Sequence, residues 1–175
     1  MLEKYNPKRI MIFISPHPDD ETLFGAYTIM RFKPLVLMVT HPTEQGDNGN
    51  ERLLETYEAM RILGSPVCFL GIPENELNEE NLTKALFRFK DEFAFIPDLD
   101  GGHPHHDLIH NVCKDMFPVH ETYKTYGKGE TRAIGKEIIP TDKELEFKIE
   151  AMKCYKTQIE NPLTNHYFLT TKEYA

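Results

Sequence analysis

The chain has 175 residues, enough for one domain with a sizeable core, and its apolar and charged fractions of 40 % and 27 % are ordinary for a globular protein. A net charge of −8 argues against general binding to nucleic acid or an anionic membrane surface, though not against a polyanion held in a local basic pocket. No apolar run is long enough to span a membrane, and none near the start has the shape of a secretory signal, so a cytoplasmic protein is expected.

Cys68, Cys113 and Cys154 form no Cys-x-x-Cys pair, which fits a reducing compartment; Cys68 lies in an apolar run and is expected to be buried. There is no repeat, low-complexity stretch or linker, so residues 1–175 are expected to form a single domain.

Residues 1–7 are a polar lead-in. Ile10-Met11-Ile12-Phe13-Ile14 then runs without polar alternation, the pattern of a strand buried on both faces of a parallel sheet. The strand, expected over Arg9–Ser15, ends abruptly in Ser15-Pro16-His17-Pro18-Asp19-Asp20-Glu21. Open parallel sheets bind ligands just beyond the carboxyl ends of their strands. There, one imidazole and three carboxylates fall within five residues, on backbone stiffened by Pro16 and Pro18. His17 and Asp20 could bind a hard or borderline divalent metal, leaving Asp19 for proton transfer. Acidic residues opening a helix are also favoured by the helix dipole alone. The His-Pro placed straight after a buried strand is what favours a site.

A helix is expected over Thr22–Phe32, with Gly25 marking close packing against the sheet or a ligand, and Lys33-Pro34 stops it. Leu35–Thr40 is a second strand. His41 to Asn50 is a loop on the same sheet edge, where His41 and Glu44 either touch substrate or are merely solvated. Asn50 is expected to cap a helix over Glu51–Leu63, with Gly64 at its C′ position. Arg52 and Glu55 stand on one side of its first turn, a spacing that also suits a surface ion pair of little energetic consequence.

Val67–Leu70 is a third strand, Asn78–Phe93 an amphipathic helix, and Phe93–Ile96 leads into a fourth strand. This alternation argues for right-handed βαβ units and an α/β fold, a Rossmann-like three-layer sandwich with a mostly parallel sheet. After the fourth strand comes Gly101-Gly102-His103-Pro104-His105-His106-Asp107-Leu108-Ile109-His110, with four of the chain's eight histidines, placed to meet His17 and Asp20. Beyond it, Tyr123–Tyr126 and Ala133–Ile139 could be two strands turned by Gly127-Lys128-Gly129. Thr141-Asp142-Lys143-Glu144 fits a capping box, and Tyr167-Phe168 would anchor a short tail.

Ser-Pro-His-Pro-Asp-Asp-Glu resembles the signature of the PIG-L/LmbE family of metal-dependent deacetylases, which remove acetyl groups from N-acetylglucosamine units. The resemblance runs from residue 9 to about 158. It is strong at the two histidine motifs and weak between them, and it implies an LmbE-like fold. The family's His-Pro-Asp-His motif matches His103-Pro104-His105-His106, so His106 is implied as the third metal ligand beside His17 and Asp20, and His103 as the catalytic histidine facing the substrate carbonyl. His105 departs from the usual Asp and puts in doubt the orienting hydrogen bond that Asp makes. An Arg-x-x-Glu in the family makes Arg52 a candidate substrate contact. Lys153-Cys154-Tyr155-Lys156-Thr157-Gln158 is similar to the family's Tyr-x-Ser-Gln helix end, with Thr157 for Ser.

The resemblance thus implies a hydrolase that gives acetate and a free amine. Zinc is the expected cofactor, with iron or another divalent ion suited to the same donors. Asp19 would be the general base, and His103 would stabilise the oxyanion. The expected partner is a small N-acetylated sugar conjugate, with no nucleic acid, and a homo-oligomer stays open. The alternatives are the same metal machinery acting on a different N-acyl amide, and a non-catalytic metal- or sugar-binding module on this fold.

Overall fold

The computed structural model describes residues 10–42, 48–130, 132–162 and 164–175. Five strands, β1 (Met11–Ser15), β2 (Leu35–His41), β3 (Val67–Pro73), β4 (Phe93–Pro97) and β5 (His120–Tyr123), form one sheet in the order β3-β2-β1-β4-β5, every pair parallel. Helices follow the strands as the alternation requires: α1 (Asp20–Phe32), α2 (Asn48–Leu63), α3 (Glu79–Leu86), α4 (Pro104–Met116), α5 (Asp142–Met152) and α6 (Lys156–Ile159).

The pleat sends alternate residues of β1 to opposite faces. Phe13 packs with Leu23 and Ile29 of α1, Met60 of α2 and Met152 at the end of α5. Ile12 and Ile14 pack on the other face with Leu82 of α3 and Ile109 of α4. Both faces are therefore covered, giving the expected three layers. Each fully buried Ile or Phe here contributes roughly 1.5–3 kcal/mol of transfer free energy. Gly25 lets α1 lie on β1, because a Cβ there would overlap the Phe13 ring; of the two roles open to it, the close packing is against the sheet.

Several local expectations change. α2 begins at Asn48, so Asn50 lies inside its first turn rather than capping it. The long helix expected to Phe93 is shorter: α3, capped by Asn78, ends at Leu86 and passes into a 3₁₀ turn over Phe87–Phe89. Cys68 is half-buried, because β3 is an edge strand, and its Sγ lies 3.6 Å from Arg88. The two strands expected after residue 118 reduce to β5 and isolated bridges, Tyr126 with Arg132 and Glu137 with Tyr174. Of the isoleucines there, Ile134 and Ile139 are 79 % and 71 % exposed and Ile138 is half-buried, so that stretch has no continuous buried face to form a strand on. The Thr141–Glu144 capping box is present with both its bonds, and Tyr167 and Phe168 pack against the core as the tail's anchor.

Two features fix the site's place. The order β2-β1-β4 makes the β1/β4 gap the point where the chain changes direction across the sheet, and both histidine motifs leave from the carboxyl ends of those two strands. The tail is bolted beneath α1. Lys148 and Glu173 are both fully buried and 2.6 Å apart; Lys148 Nζ also donates to Leu23 O at 2.9 Å, and Glu173 accepts the Tyr27 N–H at 3.1 Å.

Candidate active site

β1 ends at Ser15, and the turn that follows is held from the side by β2, whose Thr40 donates its N–H and hydroxyl to Pro16 O at 3.1 and 2.9 Å. Asp19 stands at the N-cap of α1 with φ 116°, and Asp20 and Glu21 open the helix. Across the gap, the loop after β4 turns at Gly101, and Gly102 presses against residues 126–127 so closely that a Cβ would overlap Tyr126 O. His103 is then the N-cap of α4 and Pro104 its first residue.

This brings His17, Asp20 and His106 together. His17 Nδ1 lies 3.0 Å from Asp20 Oδ2, His106 Nε2 lies 3.0 Å from the same oxygen, and the two nitrogens are 3.2 Å apart. Asp20 and His106 are each 1 % exposed. A tetrahedral ion with bonds of about 2.0 Å has ligand edges of about 3.3 Å. Ring protons alone do not satisfy this triangle. With a proton on each nitrogen, two donors meet at 3.2 Å; with one removed, a lone pair faces the carboxylate. A divalent cation suits all three atoms at once, so the donor set fits the metal.

Burial pushes the His17 ring down to about 3 despite Asp20 beside it, which keeps the ring neutral and a lone pair available. Asp20 is held well below the usual carboxylate range: burial alone would raise it, and the contacts with His106 and His17 win.

The neighbouring rings set one another's tautomers. His17 Nε2 is 2.9 Å from His105 Nδ1, so with Nδ1 turned to Asp20 the ring proton on Nε2 has His105 as its acceptor. Histidine Nδ1 and aspartate Oδ are each one bond from Cγ. His105 therefore puts an acceptor where the Asp of the His-Pro-Asp-His pattern would put one. We expect His105→Asp to keep both metal content and turnover; loss of turnover in a folded, metal-loaded variant would give His105 a direct role. His103 Nδ1 accepts the His105 N–H at 3.3 Å, which leaves the proton of the neutral ring on Nε2.

Asp19 is 7 % exposed and faces the same cavity, of about 480 Å³, lined by His17, Asp20, His103, His105, Arg52 and Tyr126 among others. Burial, then the charges of Asp20 and Glu21, raise its carboxyl well above the usual range, against the pull of Arg52. Arg52 donates to Asp19 Oδ2 at 2.9 Å and to Pro18 O at 2.6 Å. It lines the cavity, but this part of its guanidinium is committed to Asp19. Glu55 forms no pair with it: Glu55 takes the N–H and hydroxyl of Thr157 at 2.9 and 2.6 Å.

His41 turns to Pro42 O at 2.9 Å and is not among the described residues lining the cavity, whereas Glu44 lies outside the described residues. His110 contacts Pro97 O at 2.9 Å, on the helix face rather than in the site. Sequence reasoning missed Tyr126, Gln158, Thr164 and Tyr167 as lining residues. The Tyr-x-x-Gln helix end was the one signal that could have found Gln158.

Two histidines and a carboxylate meet at the switch point of a parallel sheet, beside a cavity lined by a further carboxylate and histidine, an arrangement that suits a metal-dependent hydrolase. Residues 12–117 match the family model for GlcNAc-PI de-N-acetylase, PIG-L, and the chain belongs to that family. It is a deacetylase, a hydrolase of an amide carbon–nitrogen bond.

Among solved structures the fold is similar to a teicoplanin deacetylase in a zinc-inhibited form (TM-score 0.65, 14 % identity, 89 % of each chain). It is also similar to an antimicrobial pseudoaglycone deacetylase (0.65, 16 %, 91 % of this chain and 87 % of that one). A third is 4-carboxy-2-hydroxymuconate hydratase from Pseudomonas putida (0.57, 16 %, 91 % and 82 %). At such identities the likeness is one of fold, and the fold alone carries more than one reaction. Comparison with curated protein sequences gives no match. Among the described residues no helix is long and apolar enough to cross a membrane.

Proposed function

We propose that the protein is a zinc-dependent, cytoplasmic hydrolase that removes the N-acetyl group from an N-acetylglucosamine-type sugar conjugate, releasing acetate and a free amine. The observation that carries this is the convergence of His17, Asp20 and the buried His106 beside a cavity that His17, Asp20, Asp19 and His103 line. The family match, with a sugar de-N-acetylase as its namesake, supports the substrate class, and the pseudoaglycone and teicoplanin deacetylases support a sugar-bearing acceptor.

His17, Asp20 and His106 would hold a divalent cation, which would supply Lewis-acid chemistry at the reacting amide. Zinc is our choice, and iron suits the same donors. The chain's own residues do the rest. Asp19, buried and with raised proton affinity, takes a proton from the attacking water and passes it to the departing amine nitrogen. Arg52 keeps the Asp19 carboxylate turned into the cavity. His103 donates its Nε2–H to the oxygen of the tetrahedral centre, where negative charge develops. His105 holds the His17 ring in the tautomer that presents Nδ1.

The test is acetate release from a panel of N-acetylglucosamine conjugates and other N-acyl amides by the metal-loaded protein, beside His106→Ala. We expect turnover on the sugar conjugates and loss of both metal and turnover in the variant. Turnover confined to other amides would move the substrate class. Metal binding without turnover on any of them would favour a binding module, and full metal content in His106→Ala would remove His106 from the set.

A further inference from the structure

Asp19 and Asp20 are adjacent, yet one faces Arg52 and the cavity while the other faces His17 and His106. The backbone of Asp19 is what parts them. Its φ of 116° lies in a region that L side chains rarely adopt, and such a conformation persists only where the surroundings hold it.

The hold is Glu21. Its Oε2 accepts the Asp19 N–H at 3.1 Å and the Ser15 hydroxyl at 3.3 Å; its Oε1 accepts the Thr22 hydroxyl at 2.9 Å and the hydroxyl of Tyr155. Glu21 is fully buried and is not among the described residues lining the cavity. The Tyr155 hydroxyl, also fully buried, comes from the far end of the chain between α5 and α6, and it lies 3.3 Å from Thr56 Oγ1 of α2. A carboxylate so surrounded by donors is a fixed strut. A helix-opening acid placed only for the dipole would face solvent, and this one does not.

We propose that Glu21, clamped by Tyr155, is the positioning residue for Asp19. It touches no substrate and acts by holding the turn that sends the Asp19 carboxylate into the cavity. The proposal rests on the reading of Asp19 as the proton-transfer group.

The test combines Glu21→Ala, Glu21→Gln and Tyr155→Phe, each read by metal content, thermal midpoint, kcat and KM on the best N-acetylated conjugate, and a crystal structure. We expect Glu21→Ala to keep its metal and KM while kcat falls about 10²-fold, the loss typical of a reacting group misplaced by about 1 Å. Glu21→Gln, whose amide oxygen can still accept the Asp19 N–H, should recover part of that loss. Tyr155→Phe should show a smaller fall in the same parameter. Should Glu21→Ala not fold, Tyr155→Phe decides.

Unchanged kcat in the folded variants overturns the proposal. So does loss of metal together with activity, which would make Glu21 a support of the metal set instead. If the unmodified protein releases acetate from no N-acyl compound, the functional reading fails. The crystal structures still judge the strut, which is overturned if Asp19 keeps its φ and its contact with Arg52 in Glu21→Ala.

Discussion

Asp19→Asn is expected to retain its metal and to lose about 10²–10⁴ in kcat, the usual consequence of removing a general base. The neighbouring change, Asp20→Asn, is expected to do the opposite, emptying the metal set because a neutral amide is a poorer ligand than a carboxylate. The geometry separates the two. Asp20 Oδ2 lies 3.0 Å from both His17 Nδ1 and His106 Nε2, whereas Asp19 Oδ2 meets Arg52 at 2.9 Å. Asn can also keep a contact with Arg52 through its amide oxygen, and it tolerates positive φ better than most residues. The Asp19→Asn protein should therefore fold like the parent. Metal content and acetate release measured side by side check both halves. Metal lost from Asp19→Asn and kept by Asp20→Asn would exchange the two roles, and full activity in Asp19→Asn would end the case for general-base catalysis there.

The largest loss of stability is expected away from the cavity, at Lys148. Lys148→Met leaves the Glu173 carboxylate fully buried without its cation, a defect that costs about 3–5 kcal/mol in comparable pairs. For a chain of this size, each kcal/mol corresponds to about 2–4 °C in Tm. Burial already strains the pair: it pushes the Lys148 ammonium down to about 8, against the pull of Glu173, and raises the Glu173 carboxyl. The double change Lys148→Met with Glu173→Leu should recover most of the loss, since apolar replacements of buried pairs are often neutral or better. Thermal and denaturant unfolding of the two variants measure this. A single variant within about 0.5 kcal/mol of the parent, the range of ordinary surface changes, would mean the pair is not buried in solution.

The sheet was legible because its inner strands are unbroken apolar runs. Ile12–Ile14, Val36–Val39 and Ala94–Ile96 are buried on both faces, which no edge strand or amphipathic helix would require. The meeting of His17, Asp20 and His106 was legible because each motif follows such a run. What stayed hidden is what joins residues far apart in sequence. His17 meets His105 across 88 residues, Tyr155 meets Glu21 across 134, and Tyr27 meets Glu173 across 146. Such contacts leave no period in the chain. Glu21 therefore read as an acid favoured by the helix dipole, and the pairing of Arg52 with Asp19 was not visible. The stretch Ala133–Ile139 misled in the other direction: its apolar residues suggested a strand, but Ile134 and Ile139 face solvent.

The boundary of the family match has a bearing on selectivity. Residues 12–117 contain His17, Asp19, Asp20, Arg52, His103 and His106, the groups assigned to the reacting amide. Of the other lining residues, Glu74 and Asn75 lie inside it, and Tyr126, Gln158, Thr164 and Tyr167 lie beyond it. We expect the wall residues beyond residue 117 to bear on which acceptor is taken, while Tyr155 of the same stretch supports Asp19 through Glu21. Exchanging the later segment should thus reprogram the acceptor while the ligand set stays whole.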